Sequence, residues 1–305
     1  TCGVWFFLIR WWDAFEKEPW SISLIAVLLG VASPLALYVF RDVLLQFVNT
    51  GVTGSPGFDY FYFVVVVGAA EECVKILPVF LLGWLGARQM NERSDWMIYG
   101  CLSALGFSLN ENYGYLLGYG LKVGVARFFL STPLHVSLTG CLALTLRRIY
   151  LREPHGWRRF AAALASVALI HGTFDFLLGL RKPEAWFAAV VLGPLWGLVF
   201  LRIFGNVVST SPFRSNPARH RASCTSWFMG AFVALCLFNY LAAARILGAE
   251  AVIPKLQTDL IGAQFFLLLG LVYSRLDFAP MEGALLKDRG PAVLKPARTP
   301  AMAEE

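Results

Sequence analysis

No CxxC pair, no HExxH stretch and no internal repeat occurs in this chain. The first absence leaves no thiolate metal site or disulfide framework to read from Cys2, Cys73, Cys101, Cys141, Cys224 and Cys236, which stand singly. The second removes one helical signature of zinc chemistry, and the third removes support for an inverted-repeat architecture. Charge is scarce too: 15% of the 305 residues are charged, against about 25% in an ordinary soluble domain. What fills the space is apolar. With 57% hydrophobic residues and a mean hydropathy of +0.61, this is a polytopic membrane protein. The 10 Trp, 10 Tyr and 25 Phe suit lipid contact and interfacial belts better than base stacking, so no nucleic-acid partner is expected.

Apolar runs predict an all-α transmembrane bundle of about eight complete spans, near residues 20–40, 58–86, 96–118, 124–146, 160–180, 186–204, 227–247 and 259–276. Residues 4–12 are too short to span. The chain opens on Thr1, so residues 1–19 read as the remnant of a truncated helix plus a cytoplasmic linker, outside the fold argument. Residues 20–276 form the membrane domain, and 277–305 a disordered, cytoplasmic, Pro- and Ala-rich tail. Pro34, Pro78, Pro133 and Pro194 mark places where a helix should bend or loosen. Counted alternately, 18 Lys and Arg fall on one side and 7, Arg127 among them, on the other, with Lys75 inside the bilayer. The richer side, with the C-terminus, is therefore expected in the cytoplasm. A loop as basic as 147–159 is most often a topology anchor beside anionic lipid.

The informative stretch is FDYFYFVVVVGAAEECVKILPVFLLGWLG, residues 58–86, which carries Glu71, Glu72 and Lys75 at membrane depth. Each such group costs roughly 2.5–3.5 kcal/mol to insert, and intramembrane ionisable groups usually line a site or pathway. On a helix Glu71 lies over Lys75, and Glu72 stands three residues from it. Three other spans carry polar groups at a similar level: Glu111 and Asn112, His135, and His171 with Asp175. Helical rise puts Glu71 about 20 Å from its outer helix end and each His about 16 Å into its span. His171 and Asp175 share a face, so the carboxylate can orient the imidazole. A buried carboxylate near a His and amide donors is a sensible base for activating water, with Asn112 a candidate oxyanion donor. A divalent metal such as zinc, held by residues drawn from Glu71, Glu72, Glu111, His135, His171 and Asp175, is the alternative chemistry. A structural ion pair, or a proton-coupled transporter or channel using the acids as a relay, is the rival reading of the same residues.

AEECVK matches an EExxK motif, FSLNEN an FxxxEN motif and HGTFD an HxxxD motif, in order on successive helices. HVSLTG supplies an intervening His-x4-Gly segment, and DAFEKEPW an acidic, Pro-containing stretch ahead of the first span. Together they resemble the PrsW family of intramembrane proteases, distantly similar to the CAAX prenyl-endopeptidase (Abi) superfamily. The resemblance covers roughly residues 13–180, with the motif-bearing helices within 58–180. It implies hydrolysis of a peptide bond in a transmembrane or juxtamembrane protein, such as site-1 cleavage of a single-span anti-sigma factor in a bacterial plasma membrane. It also implies a catalytic set of Glu71, Glu72, Lys75, Glu111, Asn112, His135, His171 and Asp175. Glu72, Glu111, His135 and His171 are the candidates if a metal is bound. The CAAX relatives are regarded as metal-independent glutamic proteases. This chain departs from them in having Glu111 where they place a His and Asp175 where they place an Asn.

Overall fold

A computed structural model describes residues 2–13, 16–39, 52–85, 89–120 and 123–212, with scattered positions from 230 to 252. Every element among the described residues is helical. α1 (Cys2–Trp12) and α2 (Trp20–Ala32) come first, and the helical path resumes at 34–39 beyond a turn at Ser33. That break falls where Pro34 has no N–H to donate, and the Ser33 hydroxyl and N–H both bond the Gly30 carbonyl, at 2.8 and 3.2 Å. The next rod is built from α3 (Pro56–Phe61), a π-helical segment (Tyr62–Ala69) and α4 (Ala70–Trp84). α5 (Arg93–Tyr119) follows, then α6 (Gly124–Ala126), a second π-helical segment (Arg127–Ser131) and α7 (Thr132–Tyr150). α8 (Gly156–Gly179) and α9 (Pro183–Ser209) complete the described bundle.

Helices thus occupy the first six predicted span positions. Three stretches, Trp20–Val39, Gly156–Gly179 and Pro183–Val208, are long and apolar enough to cross a membrane by length and composition. The predicted span at 259–276 and the tail lie outside the described residues, and the one at 227–247 is described only at scattered positions. Pro78 lies inside α4, which continues through it to Trp84; the change of helical pitch comes earlier, at the π segment.

α5 is the hub, packing against α7, α2, α4, α1 and α9. Small residues bring its partners to backbone distance, the usual means of packing helices where lipid offers no hydrophobic drive. A Cβ on Gly106 would lie 2.1 Å from the Val27 carbonyl oxygen, and one on Gly30 the same distance from that of Ser103. The rod and α8 meet as closely: a Cβ on Gly172 would lie 2.3 Å from Val64 Cα. α1, set outside the fold by sequence reasoning, is part of the core. Trp5 Nε1 donates to the Phe128 carbonyl at 3.0 Å, and the Trp12 ring lies 5.7 Å from both Phe200 and Phe204. Its nine-residue apolar stretch seemed too short to matter because spanning length, not packing, was the criterion.

A second buried polar group closes the end of the bundle where α1 hands over to α2. Asp13, Glu18, Glu92, Asp95 and Tyr99 are all buried there. Glu18 N–H donates to Asp13 Oδ2 at 2.5 Å, and the Tyr99 hydroxyl donates to Glu18 Oε2. Glu92 and Asp95 form a capping box that starts α5, with Glu92 N–H donating to Asp95 Oδ2 at 2.7 Å. Burial pushes the Asp13 carboxyl up to about 6, against the Glu18 N–H and the charge of Arg10. Burial pushes Glu18 up to about 7, against hydrogen bonds to Tyr99 and Asp95.

Candidate active site

Glu71, Glu72 and Lys75 occupy the first turns of α4, immediately after the π segment. Lys75 is fully buried, and its ammonium spends all three protons. It donates to Glu71 Oε2 at 3.1 Å, Glu72 Oε1 at 3.0 Å and His135 Nδ1 at 2.8 Å, and lies 4.4 Å above the Phe107 ring. A buried cation is tolerable only when so engaged. Glu72 is enclosed as well, since Thr139 donates to its other oxygen at 2.8 Å and His171 Nδ1 stands 3.1 Å from Oε1. Glu71 differs: its side chain is 14% exposed where that of Glu72 is 0%. The i,i+3 and i,i+4 spacings read from sequence therefore hold, and they separate the two carboxylates into one enclosed and one reachable.

α5, α7 and α8 bring the rest. An ammonium that donates to His135 Nδ1 leaves the ring proton on Nε2, which faces Glu111 Oε2 at 2.9 Å and Ser131 Oγ at 3.3 Å. The His135 and His171 rings lie edge to face with centroids 4.8 Å apart. His171 Nε2 is 3.3 Å from Asp175 Oδ2 and 3.6 Å from Glu71 Oε2. Neither ring nitrogen of this buried imidazole makes an aligned hydrogen bond. Exposure rises in one direction only, from Glu72 and Lys75 through Glu71 to Glu111 at 24% and Asp175 at 28%. The cluster thus has a closed floor and an open rim.

Glu71, Glu72, Lys75, Glu111, His135, His171 and Asp175 thus converge from four helices. Asn112 adjoins them with its amide already engaged: Oδ1 accepts from Arg127 Nε, and Nδ2 donates to Thr132 Oγ1 at 3.3 Å and toward Cys2 Sγ at 3.6 Å. Arg127, Ser131, Thr132 and Thr139 were missed. Arg127 had been counted only as one of the seven charges on the less basic side, yet it is buried with Nη2 2.7 Å from Glu111 Oε2. Its one available signal was its position eight residues ahead of His135 in a single helical run.

The fit of a metal can be judged from the donors. One oxygen of Glu71 and one nitrogen each of His135 and His171 lie within 4.8 Å of one another. A carboxylate with two imidazoles is a known zinc donor set, but each donor here already faces a partner: Lys75 on Glu71 and on His135 Nδ1, Glu72 and Asp175 on His171. Glu72 and Glu111, the carboxylates expected from sequence for this role, are outside that trio; Lys75 and Arg127 hold them instead. The donor types fit a divalent ion, which would have to take the place of Lys75 at His135 and Glu71.

Apolar helices that turn carboxylates and imidazoles inward define an integral membrane protein with a buried polar centre. The chain belongs to the PrsW family: residues 18–201 match the family described as PrsW family intramembrane metalloprotease. It is 29% identical over 179 residues to Protease PrsW of Clostridioides difficile, covering 56% of this chain and 73% of that protein. It is 27% identical over 195 residues to Protease PrsW of Geobacillus kaustophilus, covering 60% and 79%. Protease PrsW of Bacillus subtilis is 28% identical over 167 residues, covering 54% and 73%. No solved structure matches. The matched region contains every site residue named above, and the chain is an intramembrane protease.

Proposed function

We propose that this protein hydrolyses a peptide bond in a transmembrane or juxtamembrane segment of a single-span protein, an anti-sigma factor being the type expected, with Glu71 as the base. The observation that carries this reading is the asymmetry of the Glu pair. Glu72 is locked by Lys75, Thr139 and His171, whereas Glu71 touches Lys75 and approaches His171 while keeping part of its surface free. A water bound at Glu71 loses its proton to that carboxylate as its oxygen attacks the scissile carbonyl carbon. The proton then passes to the departing amide nitrogen as the C–N bond breaks. Lys75, with its three bonds, holds both carboxylates and His135 in register. Asp175 orients His171 from the rim. With its amide engaged, Asn112 serves the framework, and an imidazole is the better candidate to meet the oxyanion. In the alternative chemistry, a divalent ion held by Glu71, His135 and His171 would replace the contacts of Lys75 with Glu71 and His135 and would supply Lewis acidity and a more acidic bound water.

The side bearing Arg10, Lys17, Arg93, Arg147 and Arg148, together with the C-terminus, faces the cytoplasm in this reading. Family membership favours protease over proton relay. The test follows a tagged single-span substrate in membranes with Glu71→Gln, Glu72→Gln, His135→Ala and His171→Ala. Loss of turnover by on the order of 100-fold or more is expected for Glu71→Gln. Wild-type turnover by that variant would overturn the assignment. Metal analysis paired with chelation of the purified protein decides whether an ion takes part.

A further inference from the structure

Away from the hydrolytic centre, the connection between α1 and α2 meets the start of α5 through two buried acids, Glu18 and Asp95. Asp95 and Tyr99 stand one turn apart on the same face of α5. The Tyr99 hydroxyl donates to Glu18 Oε2, which sets the Glu18 carboxyl over that face and within hydrogen-bonding reach of Asp95. The two oxygens of Asp95 have different surroundings. Oδ2 accepts the Glu92 N–H at 2.7 Å, whereas Oδ1 is buried and receives no donor. Two desolvated carboxylates in contact repel each other unless a cation or a proton lies between them. The cations facing this group are Arg10, which donates to Ser23 Oγ at 2.6 Å and lies 4.2 Å from the Trp20 ring centroid, and the exposed Lys17. Asp13, Glu16 and Glu92 add further negative charge around the pair. Among the described residues, these acids do not bring three donors within the 4.8 Å spacing found for Glu71, His135 and His171. That leaves a proton as the bridge.

We propose that Asp95 is held as the neutral acid and donates from Oδ1 to the Glu18 carboxylate, so that a buried proton latches the α1–α2 connection onto α5. Tyr99 supplies the second donor to Glu18, and the Glu18 N–H closes the connection on itself by donating to Asp13 Oδ2 at 2.5 Å. Burial, and then the charge of Glu18, push the Asp95 carboxyl far above the usual carboxylate range, in the direction the latch needs. The latch also steadies α1, whose Trp5 Nε1 donates to the Phe128 carbonyl in the second π-helical segment.

The test uses the full chain in an ester-free detergent at about pH 8 and does not depend on cleavage of any substrate. The infrared difference between wild type and Asp95→Asn should show a deuterium-sensitive stretch of a protonated carboxyl. The same band, isolated in the Glu18→Gln background, should move, because its acceptor is then an amide. Asp95→Asn offers an N–H donor at the place of Oδ1 and keeps an acceptor for Glu92. Amide exchange at position 18 and in the first turn of α2 should therefore stay within about twofold of wild type, and run about 10-fold faster in Glu18→Ala. Absence of the band, the same band unmoved in the Glu18→Gln background, or exchange in Asp95→Asn as fast as in Glu18→Ala overturns the proposal. A band that vanishes on adding calcium or magnesium chloride puts a metal ion in the place of the proton and overturns it too.

Discussion

The buried acids between α1 and α2 tie stability to pH. Glu18 sits under the Tyr99 hydroxyl and beside Asp95, and its carboxyl is pushed from 4.5 up to about 7. A carboxyl raised on folding binds its proton more tightly folded than unfolded. Its contribution is therefore intact below about 4.5 and lost as pH rises to about 7. That interval corresponds to about 3 kcal/mol at 1.36 kcal/mol per pH unit. Asp13 acts in the same sense between 3.8 and about 6. Glu18→Gln keeps a carbonyl oxygen to accept from Tyr99, and it has no proton to lose. Near pH 4 the variant should match the wild type. At pH 8 it should be the more stable, by up to about 3 kcal/mol. Denaturant unfolding in detergent micelles at pH steps from 4 to 8 reads this difference directly. Parallel curves, or a constant offset at every pH, would refute the reasoning, because a merely lost contact does not depend on the proton.

Two further outcomes follow from the packing. Gly172→Ala puts a methyl 2.3 Å from Val64 Cα and 2.5 Å from the Phe63 carbonyl, so backbone must move. A loss of about 1–3 kcal/mol is expected, with slower cleavage as Glu71 and His171 part; an unaltered melt and rate would mean the helices yield freely there. Lys75→Met leaves Glu72 buried without its cation, a change of about 3–5 kcal/mol. The double variant Lys75→Met/Glu72→Gln should recover part of that loss, and failure to do so would show the pair is not the source.

The convergence of Glu71, Glu72, Glu111, His135, His171 and Asp175 was legible because ionisable residues inside apolar runs have few places to go but toward one another. Helical spacing then gave the contacts of Lys75 with both carboxylates. Arg127 was illegible for the opposite reason: it follows a short connector, and a basic residue there reads as a solvated flank. Asp13, Glu18 and Asp95 were lost the same way, since nothing in their local polar sequence says that Tyr99 and α1 will cover them. The contacts of Asn112 were not legible because its partners, Arg127 and Thr132, come from a π turn and a different helix. The six helical positions were visible from hydropathy; the π segments were not, because eight consecutive apolar residues carry no mark of which carbonyl each N–H will choose.

The wider turn at Tyr62–Ala69 splits one rod into two rotational frames. An α-helix advances about 100° per residue, and a π turn advances less, so a wheel drawn straight from Pro56 to Trp84 assigns wrong faces to one end. Substitutions that tune lipid contact around Phe58 and Phe61 are thereby uncoupled in azimuth from Glu71 and Glu72. The faces that the Pro56–Phe61 end presents are thus set in a different rotational frame from that of the acids.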